Sequence, residues 1–281
     1  MPRQITVGVF QFSPVHKNVD RNFAYATEYL SDVEHGGLDI LLLPEMCFTG
    51  YTFTSHEDIA PFVESPVHGR TVKWCQEQAR RMGAWVVAGF PSVDPESGLY
   101  YNSQCVVDRT GTVVTIYHKH FLFMVDEHWA TEGPSFRVVK DTEFGTLGFG
   151  ICMDLNPQRF ESSLYLCEFG RFHHTKGTDL VLCSMAWLKT RPPSSSSSAG
   201  ENEEEQLLSY WIERLRPLDS TGCGVVMCNR VGSEGPTTFA GASAVIMFHG
   251  DGQGIEAGHV GEEEGLYALT VDLPNVAAPS L

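Results

Sequence analysis

Apolar and polar positions along this chain change period repeatedly, and the changes mark its elements. Residues 4–12 place Ile5, Val7, Val9 and Phe10 in near-alternation, the pattern of a strand. Residues 19–34 put Phe23, Ala26, Leu30 and Val33 at helical spacing, closed by Gly36 and Gly37. The apolar run 40–43 then predicts a buried strand. A second helix over 71–82 carries Val72, Cys75, Ala79 and Met82 on one stripe, stops at Gly83 and leads into an apolar strand at 85–90.

Two alternating segments, 100–107 and 112–117, flank Asp108-Arg-Thr-Gly111 and read as an antiparallel hairpin. The second half repeats the first rhythm. Strands are expected at 146–151, 180–184, 225–229, 242–248 and 266–271, with a helix after Pro157 and another near 207–215. Strands alternating with helices, some paired by a tight turn, fit a layered α/β sandwich with mixed sheets better than a barrel. One domain is expected over 1–281, because large α/β sheets often fill this length as a unit. Residues 192–205, with two prolines, five serines and several glutamates, have no apolar period and are expected to be a disordered surface insertion.

Composition narrows the function. With 42% hydrophobic and 19% charged residues the chain can build a sizeable core. The formal net charge of −16 owes much to two short acidic runs, Glu201 with 203–205 and 262–264. Even without them acids outnumber bases, so no nucleic-acid partner is expected. The start lacks a basic region followed by a long apolar stretch, and no 18-residue apolar run occurs, so neither a secretory signal nor a membrane span is expected. The eight cysteines show no C-x-x-C spacing, which fits free thiols in a reducing compartment, the cytoplasm by default. The histidines form no metal-ligand pattern, and no metal is expected.

Three ionisable residues stand where predicted strands end: Glu45, Lys119 and Cys152. Strand ends are where open α/β sheets build their sites. Taken singly each has a plain alternative, a surface acid, a solvated lysine and a core cysteine. Cys152 gains weight from the residues after it: Asn156 as a cap residue and Pro157 at a first helical position would put the thiol near a helix N-terminus, where it ionises more readily. A Cys-His hydrolase using His118, His120, His173 or His174 is a weaker reading, because His118 and His120 alternate with Lys119 and should face away from it.

Leu-Leu-Leu-Pro-Glu45-Met-Cys-Phe-Thr-Gly-Tyr51, Tyr117-His-Lys119-His-Phe-Leu-Phe123 and Gly150-Ile-Cys152-Met-Asp154 resemble, in order, three signature segments of the nitrilase-like carbon-nitrogen hydrolases. Gly177-Thr-Asp-Leu-Val-Leu182 and Cys228-Asn-Arg-Val-Gly232 are similar to later strands of that family. The resemblance implies an α-β-β-α sandwich and a Glu45-Lys119-Cys152 triad that needs no cofactor. It also implies Glu127 as a second glutamate supporting the lysine. A thiolate would attack an amide while Lys119 and the Met153 N–H stabilise the oxyanion, with Glu45 moving the protons.

Cys152-Met-Asp-Leu-Asn-Pro157, Arg159-Phe-Glu161 and Asp126-Glu-His-Trp129 resemble in particular the fungal protein N-terminal amidases, which deamidate N-terminal Asn and Gln and feed an N-degron pathway. On that reading protein or peptide N-termini are the substrate, and the protein is a monomer or homodimer. Asp126, Trp129, Met153 and Asp154 would line the substrate site, with Asp126 the preferred partner of the α-ammonium ahead of Glu127 and Asp154. The alternatives are a small-molecule amidase such as an ω-amidase or carbamoyl-amine hydrolase, and an inactive binding protein that retains the fold.

Overall fold

The computed structural model describes residues 3–189, 203–250 and 254–273. In chain order the elements begin with β1 (Arg3–Gln11), α1 (Val19–Tyr29), β2 (Ile40–Leu42), a one-turn α2 (His56–Ile59), α3 (Arg70–Met82), β3 (Trp85–Val93), β4 (Tyr100–Val107) and β5 (Val113–His118). They continue with β6 (Arg137–Thr142), β7 (Gly145–Ile151), α4 (Glu168–Lys176), β8 (Leu180–Ser184), α5 (Glu203–Leu215) and β9 (Gly224–Cys228). A short ribbon, β10 (Ser233–Glu234) with β11 (Thr237–Thr238), precedes β12 (Ala244–Phe248), β13 (Ile255–His259) and β14 (Gly265–Leu273).

Two six-stranded sheets result, in the orders β14-β1-β2-β3-β4-β5 and β13-β12-β9-β8-β7-β6. Each has a parallel centre, β1-β2-β3 in one and β7-β8-β9 in the other, flanked by antiparallel strands. Parallel strands covered on both faces need apolar residues nearly throughout, which is why β2 and the first four residues of β8 are unbroken apolar runs in the sequence. The alternation still sorts them. Ile40 and Leu42 join Leu147, Leu180, Leu182 and Val225 in a core between the sheets, whereas Leu41 and Leu43 pack with Phe23, Ala26, Val72 and Met82 of α1 and α3. Phe169 of α4 and Trp211 and Leu215 of α5 pack onto the second sheet. The fold is the α-β-β-α sandwich.

Three local expectations change. The segment after Pro157 is not a regular helix: it forms short 3₁₀ turns at Gln158–Phe160 and Leu164–Leu166, with Arg159 and Phe160 both at positive φ, before α4 begins. Asn156 therefore caps no helix, and extended backbone at Asn156 and Pro157 ends a 3₁₀ turn that starts at Cys152 itself. Of the expected insertion, 192–202 lies outside the described residues, but Glu203, Glu204 and Glu205 form the first turn of α5. Carboxylates there complement the partial positive charge of a helix N-terminus.

The two sheets meet where their parallel strands end. Ser184 Oγ donates to the Leu43 carbonyl at 2.7 Å, Gln104 Nε2 donates to Ser184 Oγ at 2.9 Å, and the Glu45 N–H reaches the Met185 carbonyl at 3.3 Å. Gly89 on β3 makes this possible: a Cβ there would lie 2.6 Å from Glu45 Cα and from the Pro44 carbonyl oxygen. Backbone cannot yield as a flexible side-chain tip can. Gly89→Ala is therefore expected to push the 44–46 segment off β3 and to lower stability by about 1–3 kcal/mol. Urea unfolding checks this, as a lower midpoint at unchanged slope.

Candidate functional site

Glu45 follows β2, Lys119 follows β5, and Cys152 follows β7. The side chains of Glu45 and Lys119 are fully buried and Cys152 is 8% exposed. Lys119 Nζ lies 2.6 Å from Glu45 Oε1 and 2.6 Å from Asp126 Oδ2. The second acid on the lysine is thus Asp126 and not Glu127. Asp126 opens a one-turn 3₁₀ helix, Asp126–His128, in which neighbouring side chains point about 120° apart. Asp126 is buried beneath the lysine and Glu127 is exposed on the wall of a separate groove with Glu132, Arg159 and Glu161.

Asn102 on β4 completes the cluster. Its Nδ2 donates to Glu45 Oε1 at 2.7 Å and to Asp126 Oδ1 at 3.1 Å, and its backbone carbonyl accepts the Lys119 backbone N–H at 2.8 Å. Both Asp126 oxygens are committed, since Oδ2 also accepts the Phe123 N–H at 3.0 Å. Glu45 differs, because its Oε2 is buried and has no hydrogen-bond partner among the described residues. Asp126 is therefore not available to a substrate ammonium, contrary to the sequence-based expectation.

Asp154 is not available either. Its Oδ1 accepts the N–H groups of His120 and Phe121, and its Oδ2 accepts the Ile151 N–H and the Tyr117 hydroxyl, all at 2.7–3.1 Å. It ties the end of β5 to the end of β7 and fixes the peptide leading into Cys152. Cys152 itself is held at φ +40°, a conformation costing a non-glycine residue about 1–3 kcal/mol. Met46, next to Glu45, is likewise at φ +52°. The Ala186 N–H lies near the Cys152 sulfur and favours its ionised form.

Electrostatics set the resting protonation. Burial pushes the Cys152 thiol well above its ordinary range, the Glu45 charge adds to this, and Lys119 opposes it. The expected helix N-terminal activation of a thiolate is therefore outweighed: the short turn at Cys152 does not offset burial. Burial also raises the Glu45 carboxyl, against the pull of Lys119. Burial opposes the Lys119 charge, but Asp126 and Glu45 outweigh it and hold the ammonium above the ordinary lysine range.

Cys152 and Met153 line a cavity of about 440 Å³ with Tyr51, Phe123, Asn156, Ala186, Trp187 and Tyr210 on its walls, and Lys189, Glu203, Glu204 and Glu262 among the charged residues. Met153 is the second residue of the turn, where an N–H has no helical partner. Trp129 does not line this cavity; it packs in an apolar cluster with Met46, Tyr51, Phe53 and Ala186, its indole nitrogen unpartnered among the described residues. His118 bonds Ser103, His120 bonds the Gly133 carbonyl, His173 bonds Thr178 and His174 bonds Ser220, so each of the four is engaged away from the thiol. Among the described residues no group of three or more His, Cys, Asp and Glu side chains is placed to hold a metal ion, and no helix is long and apolar enough to cross a membrane.

The chain as a whole has clear counterparts among known proteins. The family model "Carbon-nitrogen hydrolase" matches residues 6–278. The chain belongs to the carbon-nitrogen hydrolase family. A protein N-terminal amidase of Schizosaccharomyces pombe is 30% identical over 85% of this chain and 90% of its own length. A 2-oxoglutaramate amidase of Bacillus subtilis is 29% identical over 97% of this chain and 92% of its own. A crystal structure of N-terminal amidase with an Asn-Glu-Ala peptide superposes with a TM-score of 0.84, at 21% identity, covering 98% of this chain and 99% of that one.

The geometry separates the two acids at 126 and 127 by a stability measurement. Asp126→Asn leaves the buried Lys119 with one carboxylate and should cost about 2 kcal/mol, less than the 3–5 typical of a fully orphaned buried charge because Glu45 remains. Glu127→Gln alters an exposed side chain and should stay within about 0.5 kcal/mol. Urea unfolding of the two variants reads the contrast, and equal costs would contradict the placement of Asp126.

Proposed function

We propose that this chain is an amidase that removes the side-chain amide of an N-terminal Asn or Gln, giving Asp or Glu and ammonia. The observation that carries the chemistry is that Glu45 Oε2 has no hydrogen-bond partner among the described residues, while both oxygens of the cluster's other acid are engaged. Of the two acids beside Lys119, Glu45 is the one with an oxygen lacking a hydrogen-bond partner among the described residues, and it is the one placed to exchange a proton. The choice of substrate is supported by the relative in S. pombe and by solved N-terminal amidase structures that hold Asn- and Gln-initiated peptides.

In this cycle Cys152 rests as a thiol and Glu45 as a carboxylate. Glu45 takes the thiol proton as sulfur attacks the side-chain carbonyl carbon. The oxyanion is met by the Lys119 ammonium and the Met153 N–H, a cation and a dipole already fixed in place. Glu45 then gives its proton to the leaving nitrogen, ammonia departs, and a thioester remains. Water enters, loses a proton to Glu45 and attacks the thioester carbonyl; the acid product leaves as the proton returns to sulfur. Asp126 remains the lysine's permanent counter-ion, and Asn102 orients both carboxylates.

The relative in B. subtilis favours a second reading, hydrolysis of a small amide that carries a free carboxylate. Matched substrates decide. Asn- and Gln-initiated peptides should gain one dalton by mass spectrometry and release ammonia, while N-acetylated versions, which keep the amide but lose the α-ammonium, should react roughly a hundredfold more slowly. Equal turnover of free and acetylated peptides, or a preference for 2-oxoglutaramate, would sink the N-terminal reading.

Two further outcomes follow from the cluster. Cys152→Ala should fold and lose turnover by roughly 10³-fold or more, and Cys152→Ser should be nearly as inactive because a hydroxyl is harder to ionise. Activity requires ionised Glu45, whose pKa burial raises, so kcat/KM should fall as pH drops through a value above the ordinary glutamate ~4.3. A pH profile places that acid limb; a limb at or below the ordinary value would remove Glu45 as the base.

A further inference from the structure

The three acids that the sequence offered to a substrate ammonium lie elsewhere or are already saturated, so recognition beyond the scissile amide must come from other residues on the cavity wall. Asn156 is one whose orientation is fixed. It is 5% exposed and lines the same cavity as Cys152. Its backbone N–H bonds the Met153 carbonyl at 2.8 Å, and Pro157 stiffens the chain after it. On the side chain, Oδ1 accepts the Tyr210 hydroxyl at 2.7 Å. That contact determines which way the amide faces, and it leaves Nδ2 without a hydrogen bond to any described residue. A nearly buried neutral donor is thus held ready on the wall of the reactive cavity.

A neutral N–H matches a carbonyl oxygen and cannot neutralise a carboxylate. The other charges on the cavity wall agree with this. Among the described residues they are Glu203, Glu204 and Glu262 against Lys189, and Lys189 is engaged by Glu203 and Glu262. Among the described residues, a substrate with a free α-carboxylate would meet an acidic surround and no uncommitted lysine. A substrate whose α-carboxyl is already a peptide bond carries a neutral carbonyl in its place.

Resting on the deamidation reading above, we propose that Asn156, oriented by Tyr210, is a specificity-determining residue that binds the carbonyl of the substrate's first peptide bond, and so selects a polypeptide N-terminus over a free amino acid or an amide of a dicarboxylic acid. The first-residue side chain reaches Cys152 while the adjoining peptide unit lies against Asn156.

The probes are an Asn-Ala-Ala peptide, free asparagine and 3-aminopropanamide, the last keeping the ammonium and the scissile amide but lacking the α-carbonyl. Asn156→Leu preserves size and removes the donor. For the peptide it should raise KM about tenfold with little change in kcat, the usual weight of one neutral hydrogen bond. For 3-aminopropanamide it should change neither constant, and the preference for peptide over free asparagine should shrink by the same tenfold. Tyr210→Phe frees the amide to rotate and should give a smaller rise in KM, about threefold, again confined to substrates with the carbonyl. It also provides the test if Asn156→Leu fails to fold. Equal losses on the peptide and on 3-aminopropanamide, or no loss on the peptide, would overturn the role of Asn156 while leaving deamidation intact. A parent protein that turns over no Asn-initiated peptide would overturn the deamidation reading, and this inference with it.

Discussion

A fully buried ammonium is the constraint around which this molecule is organised. Lys119 is fully shielded from bulk solvent, and an unpaired charge in such a place would lose its proton or unfold the region. Two carboxylates answer it, Glu45 from the end of β2 and Asp126 from the turn after β5. Two acids against one base leave a surplus of negative charge, and the Asn102 amide meets it by donating to both. The cluster therefore draws on β2, β4, β5 and a loop at once, and no member can move without exposing a polar group to an apolar surround.

The sulfur belongs to the other sheet, so the chemistry depends on how well the two sheets are held together at their ends. Ser184 and the Glu45 N–H stitch the end of β8 to the end of β2, Gln104 ties β4 to β8, and Asp154 fastens the end of β7 to the end of β5. Such fastening explains why left-handed backbone persists at Cys152 and at Met46: the surroundings over-determine both conformations. A looser scaffold would relax them and carry the thiol away from the cluster.

Much of this was legible in the sequence because burial on both sides forces unbroken apolar strands, and the ends of such strands are where ionisable residues attract notice. Glu45, Lys119 and Cys152 stood out for that reason. Strands β6 and β13 did not, since each lies at a sheet edge and carries polar or charged residues that hide a strand period, Arg137, Lys140 and Asp141 in one and Glu256 and His259 in the other. The choice between Asp126 and Glu127 turned on a single residue in a 3₁₀ turn, where adjacent positions face different ways and spacing alone cannot say which is inside. Asn102 does leave a signal: Asn102-Ser103-Gln104 is a polar run within a strand otherwise fit for burial, and buried polar side chains in such a place mark a network. The role of Asn156 depends on Tyr210, 54 positions away, and no local pattern could reveal that pairing.

The two carboxylates beside Lys119 show how one cation can keep both a fixed counter-ion and a mobile proton carrier. They share the lysine at equal distance, so proximity to charge does not distinguish them. Hydrogen bonding does. Asp126 accepts from Lys119 and the Phe123 N–H on one oxygen and from Asn102 on the other, so both of its oxygens are engaged. Glu45 places Lys119 and Asn102 on the same oxygen and leaves the other bare. A proton can arrive there without breaking any bond the cluster depends on. In the proposed cycle a proton sits on Glu45 twice per turnover, once from sulfur and once from water, and each time the lysine keeps Asp126 as its partner. The ammonium therefore stays charged while its neighbour is neutral, and that is the moment at which the oxyanion needs it most.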